Sequence, residues 1–527
     1  MANFLQRDRV IGPINPWLIA PVVMLSTFME VLDTSVANVS LQHIAGNLSS
    51  TVEESTWVLT SYLVSNAIVL PLTGWFSKIF GQKRFYMACV TIFTVSSLLC
   101  GLAPSLGMLV FFRVLQGAGG GGLQPVSQAI LVQSFPKEKR GMAMAVYGMG
   151  VIFAPIVGPT LGGWITDSYS WRWIFLINIP IGLLSLVLTS LLIFDPPYLE
   201  RKKLSEVKID YIGLGLLSVG LGFLQVVLDK GQTEDWFGSN FIVWGTVAAA
   251  VGLIGAALWE WHSRDPVVDV RLLTERNFML STVTMFLLGI VLYGSTALLP
   301  IFLQTLLGYN AMTSGLVLSP GGIAVLILLP VVGMLTSRVE ARWMVTLGAL
   351  IIPGSLFHMA HFNLNITFSD AMWARVYQSM GMAFLFVPIN VMAFYFVKRD
   401  KVNNATGIMN LARNVGGSVG IAGVTTVLSR RVQVHQNILA GHVNTFSGAY
   451  QRMVAGSTAA LATRGSDPAQ ATAQAHGLVY GLVQRQASMM AFVDDFWLLG
   501  AVFLCLIPLM FLMKKTRPHK STDVAAH

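Results

Sequence analysis

Stretches of about twenty consecutive apolar residues recur along nearly the whole chain, each long enough to cross a bilayer as an α-helix. A segment inside lipid must satisfy its backbone N–H and C=O groups internally, which only a helix or a closed barrel achieves. These runs are continuous rather than alternating residue by residue, so a transmembrane barrel is excluded. The predicted spans are 16–38, 55–76, 84–103, 108–132, 142–164, 173–194, 210–229, 239–261, 278–303, 312–336, 342–362, 371–396, 405–429 and 493–513. Only 11% of the 527 residues are charged, against about 25% in soluble domains. The expected class is therefore an all-α polytopic membrane protein of about fourteen helices.

The formal charge of +9 is distributed by topology. Lys78, Lys83 and Arg84; Lys137, Lys139 and Arg140; Arg201, Lys202, Lys203 and Lys208; Arg264, Arg271 and Arg276; Arg338 and Arg342; and Lys398, Arg399 and Lys401 all fall in alternate connections. Lys514, Lys515, Arg517 and Lys520 follow the last span. This is the positive-inside bias. It puts both termini in the cytoplasm and makes a nucleic-acid partner unnecessary. The apolar segment after Arg7 and Arg9 lacks a cleavage site and reads as a retained first span. Residues 430–492 are too polar to span and read as an external loop, with Asp467 and Pro468 marking a helix start that runs towards the last span.

Arg113, Gln116 and Gly117 recur as Arg375, Gln378 and a glycine at 381, and the Gly74–Lys78 stretch has an echo in Gly333–Arg338. Each pair occupies the second and fourth spans of a six-span unit. The expected organisation is an N-terminal six-helix bundle over 1–200, an inserted two-helix linker over 201–276, and a C-terminal six-helix bundle over 277–527. Parallel repeats with a site between them describe a secondary transporter.

The most constrained stretch runs from Leu109 to Gly163. Arg113 lies deep in one apolar run, where a charge costs roughly 2.5–3.5 kcal/mol on insertion scales and normally faces a bundle interior. The following run carries Gly150, Pro155, Gly158, Pro159, Gly162 and Gly163, a pattern for a kinked helix packed closely on its neighbours. In span 1, Glu30 and Asp33 are spaced i, i+3 and share a face. A carboxyl deprived of water takes up a proton more readily, and an approaching cation reverses this. An arginine that nears Asp33 in one conformation only would act as a switch.

These residues resemble a family. Leu32, Asp33 and Thr34 with Asn38, Arg113 with Gln116 and Gly117, the glycine- and proline-rich fifth span, and the Trp171, Arg172, Trp173, Asn178, Pro180, Gly182 series are similar to the fourteen-span drug:proton antiporters of the major facilitator superfamily, of the EmrB/QacA type. The resemblance implies a major facilitator fold of two six-helix bundles plus two extra central helices. It also implies export of hydrophobic small molecules driven by the proton gradient, with no cofactor. Asp33 and Arg113 are the implied proton-coupling residues, and the fifth span is the implied antiporter motif; Glu30, which the family motif does not require, joins the proton-coupling set by its spacing from Asp33. An EmrB-like member implies a periplasmic adaptor, an outer-membrane channel and residence in an inner membrane, whereas QacA-like members work alone; the long polar segment before the last span favours the adaptor arrangement. The cytoplasmic loop motif keeps Gly74, Gly81, Lys83 and Arg84 but departs from the superfamily at Lys78 and Gln82, where an aspartate and an arginine are usual.

Asn38, Gln116, Gln124, Gln128, Tyr293, Arg375, Gln378, Asn390 and Arg413 are polar groups within spans, read as cavity-lining or interhelical contacts. His358 and His361 have ligand-like spacing but no further ligands, so no metal is expected. No GxxxxGK[ST] loop is present, which argues against ATP as the energy source. Two alternatives stand beside the antiporter: a facilitator or importer uncoupled from protons, and a membrane-embedded lipid-modifying enzyme.

Overall fold

The computed structural model describes residues 15–195, 210–444, 446–463 and 467–515. Fourteen long helices fall within them: α1 Pro16–Val39, α2 Trp57–Phe80, α3 Gln82–Leu102, α4 Leu106–Ser134, α5 Arg140–Ser168, α6 Trp173–Leu192 (interrupted at Ile177), α7 Tyr211–Lys230 and α8 Asn240–His262. They continue with α9 Arg276–Thr305, α10 Ala311–Leu335, α11 Ala341–Met359, α12 Phe368–Ala393, α13 Val402–His442 and α14 Pro468–Leu504. Arg7, Arg9, Arg201, Lys202, Lys203, Lys208, Arg517 and Lys520 lie outside the described residues, as does the expected boundary at 200/201.

Among the described residues, twelve helices are long and apolar enough to cross a membrane by length and composition alone. The exceptions are α11, which exposes Trp343, Leu347 and Leu350, and α13. On α13 the buried face is polar: Asn403, Asn404, Asn410 and Arg413 all point inward.

The internal repeat appears in the packing. In the first half α1 packs on α5, α2 on α4, and α3 on both α4 and α6. The same pairs recur eight helices later: α9 on α13, α10 on α12, and α11 on both α12 and α14. The halves meet along α5·α10 and α2·α13, which the repeat also relates to each other. The inserted pair α7·α8 docks on the outside through α7 against α2 and α13.

The stretch expected as an external loop is largely helical. Helix α13 continues to His442, a further helix covers Gly448–Ala462, and α14 begins at Pro468. Asp467 caps α14 by accepting from the Ala469 N–H at 3.2 Å, as its position in the sequence predicts. These polar helices are held by one another: Arg431 and His435 bind Asp494 at 2.5 and 2.7 Å, Gln436 donates to Tyr480 at 3.2 Å, and Tyr450 pairs with His476 at 2.7 Å.

Candidate functional site

Asp33 and Arg113 meet inside the first bundle. Arg113 Nη1 donates to Asp33 Oδ2 at 2.5 Å, with both side chains excluded from solvent. Asp33 Oδ1 accepts from Gln116 Nε2 at 2.9 Å and Asn178 Nδ2 at 2.8 Å. Ser97 ties the two amides together, at 3.2 and 3.0 Å. Arg113 also donates to Gln116 Oε1 at 2.9 Å and, through Nε, to the Val58 carbonyl at 3.0 Å. Its guanidinium lies 4.2 Å from the Tyr62 ring centre, a desolvated cation–π contact.

The aromatic series before α6 explains its own pattern. Trp171 is buried and packs edge-on against Phe175, which lies below the Arg113 guanidinium. Arg172 donates to the carbonyls of Gly101 and Ala103 at 3.0 and 2.7 Å, closing the end of α3. The chain then turns at Ile177 and restarts as a helix at Asn178, whose amide reaches Asp33. The sequence singled out Asn178 as part of a motif without assigning its partner.

Glu30, one turn earlier on α1, belongs to a second node. It accepts from Tyr62 and Asn66 of α2, both at 3.1 Å, and from Gln124 of α4. The other end of Gln124 accepts from Arg413 of α13, so one amide links a carboxylate of the first half to a cation of the second. Tyr62 belongs to both nodes, its hydroxyl on Glu30 and its ring on Arg113. The approach of α4 to α2 leaves no room for a side chain here: a Cβ on Gly120 would stand 2.5 Å from the Tyr62 hydroxyl. A third cluster spans the halves next to these. Gln128 donates to Asn390 and accepts from Asn410 at 2.6 Å, and Tyr147 donates to Asn410 at 3.2 Å. Tyr62, Asn66, Tyr147 and Asn410 carry no motif in the sequence and emerge only from the packing.

The fifth-span glycines divide. Cβ atoms on Gly158 and Gly162 would collide with Ser35 and Val36 of α1, and one on Gly150 would press on Met24, whereas Gly163 has nothing within 4 Å. The Pro155 carbonyl, freed within the helix, accepts from Ser35 Oγ at 3.3 Å. Pro159 also lies inside α5.

In the loop motif between α2 and α3, Gly74 lets α2 approach α13: a Cβ there would sit 2.9 Å from the Asn404 Cα. Gly81 turns the chain at φ +83°. Gln82, buried where the superfamily usually has an arginine, donates to Asn403 at 3.2 Å, so a neutral contact joins the halves. Lys83 binds the Ser190 carbonyl at 2.7 Å, while Lys78 and Arg84 are exposed.

Asn38 is exposed and joins none of these clusters. Tyr293 packs against Gly417, between α9 and α13. Arg375 and Gln378 sit together in the second bundle, away from Asp33; Arg375 donates to Ser295 and Thr296 of α9 and to Gln378.

A profile described as Major Facilitator Superfamily matches residues 23–421. The multidrug export protein EmrB of Haemophilus influenzae is 38% identical, over 82% of this chain and 84% of its own length. The fatty acid resistance protein FarB of Neisseria gonorrhoeae is 35% identical, over 93% of this chain and 94% of its own. Among solved structures, the proton:xylose symporter XylE bound to 6-bromo-6-deoxy-D-glucose is 15% identical, with a TM-score of 0.57 over 94% of this chain and 95% of that one. That likeness is one of fold.

Proposed function

Since this chain belongs to the major facilitator superfamily and, within it, to the EmrB-like multidrug efflux family, we propose that it exports hydrophobic or amphipathic small molecules in exchange for protons. The observation that carries the coupling is the buried Asp33–Arg113 pair, whose carboxylate is held on both oxygens. Asp33 accepts a proton when Arg113 withdraws, and returns it when the guanidinium closes again. Neutralising one partner of a buried pair leaves the other uncompensated, so protonation and movement of α4 against α1 are linked.

The halves rock along α5·α10 and α2·α13 by alternating access. Gln124, held between Glu30 and Arg413, passes the state of the first bundle to the second. The chain lies in a cytoplasmic (inner) membrane with both termini inside. The helical arm formed by the end of α13, Gly448–Ala462 and the start of α14 is the outer element on which a periplasmic adaptor, continuous with an outer-membrane channel, docks. Its support is mutual pairing of polar helices beyond the apolar runs.

The test is substrate-driven proton movement in energised inverted vesicles, comparing the parent chain with Asp33→Asn at matched expression. Drug-dependent dissipation of the gradient in the parent alone is expected. Equal proton movement in the variant would remove Asp33 from the mechanism.

A further inference from the structure

The repeat places a second buried arginine where the counterpart of Arg113 belongs, and its surroundings differ in one respect. Arg375 of α12 is 0% exposed and donates to Gln378 Oε1 at 2.7 Å, the same i, i+3 contact that Arg113 makes with Gln116. Where Arg113 has a carboxylate from α1, Arg375 has only hydroxyls from α9. Its Nη1 reaches Ser295 Oγ at 3.3 Å and its Nη2 reaches Thr296 Oγ1 at 2.9 Å. Among the described residues it forms no ion pair.

Three groups at this place lack a hydrogen-bond partner: Arg375 Nε, Gln378 Nε2 and Ser379 Oγ. All three residues are fully buried. Gly321 of α10 closes against Ser379 and Arg375 and brings no side-chain acceptor. A guanidinium stays charged in a protein, a buried charge without a counter-ion is strongly unfavourable, and buried polar groups are normally paired. The excess positive charge and the excess donors have the same complement, a group with one negative charge and several lone pairs.

We propose that Arg375, Gln378 and Ser379 bind a monovalent anion, either chloride or the carboxylate head of an amphipathic molecule. The site stands on the second bundle alone and does not depend on proton exchange at Asp33.

The experiment is equilibrium binding of radiolabelled chloride and radiolabelled hexanoate to the purified full chain in detergent. Saturable binding of at least one probe is expected. It should be lost in Arg375→Gln, weakened about tenfold in Ser379→Ala, and kept in Asp33→Asn, which separates this site from the proposed proton site. Chloride binding alone identifies an inorganic ion; binding of hexanoate, or its displacement of chloride, identifies a carboxylate head. Arg375→Lys keeps the charge without the planar fork and is the second variant should Arg375→Gln fail to elute as a monodisperse protein. It should bind more weakly than the parent. No saturable binding of either probe, or unchanged affinity in the arginine and serine variants, overturns the proposal.

Discussion

Asn178 holds Asp33 Oδ1 at 2.8 Å, the carboxylate oxygen opposite the one that Arg113 holds at 2.5 Å. The start of α6 and the N-terminal third of α4 therefore meet on a single side chain of α1. Replacing Asn178 by Ala removes one donor from a buried carboxylate, a loss of about 1–3 kcal/mol. Purified Asn178→Ala should unfold several degrees lower than the parent and, in inverted vesicles, exchange protons more slowly. An unchanged melting temperature would mean that the amide contributes nothing to holding Asp33.

The same pair predicts a rescue. Asp33→Asn alone leaves Arg113 buried without its counter-ion, a situation that costs about 3–5 kcal/mol in comparable sites. Asp33→Asn combined with Arg113→Gln removes both charges and should recover much of that stability. Drug-driven proton movement should stay absent in both variants. A double variant no more stable than the single would show that the loss comes from the amide at position 33 and not from the stranded arginine.

Gln124 joins Glu30 to Arg413 across the two halves. Residues in one hydrogen-bond network couple by about 0.5–3 kcal/mol in double-mutant cycles. Glu30→Gln and Arg413→Gln should therefore be non-additive in melting temperature, and the coupling should vanish in a Gln124→Ala background. Additivity in the parent background would mean that the two ends act independently.

The long helices were legible because lipid selects for apolar length, and α1 to α10 satisfy that selection directly. Helix α13 satisfies it less well: its buried face carries Asn403, Asn404, Asn410 and Arg413 because it packs against protein. The polar reach from Arg430 to Phe492 failed the same criterion for the opposite reason, since helices beyond the apolar runs pair through groups such as Gln436 and Tyr480. Hydropathy measures the solvent that a helix faces and not whether the helix forms. At the candidate site, Asp33 and Arg113 stood out as charges within apolar runs. Tyr62 and Asn66 are ordinary in a span, and only the approach of α2 to Glu30 gives them a role.

Gly158 and Gly163 looked equivalent in sequence and have opposite surroundings. A Cβ on Gly158 would stand 2.5 Å from the Ser35 Cβ, a contact that side-chain rotation does not relieve, so α1 and α5 would have to separate. Overpacking of this kind costs about 1–3 kcal/mol. Gly163 has open space around the same position, and alanine there gains up to about 1 kcal/mol in helix propensity. Gly158→Ala should lower both melting temperature and drug efflux, while Gly163→Ala keeps both at or above the parent. Adding Ser35→Gly removes the obstructing atoms and should restore Gly158→Ala. If the fifth-span glycines serve bending rather than close approach, the second substitution will not help, because it returns space to α1 and leaves the backbone freedom of α5 unchanged.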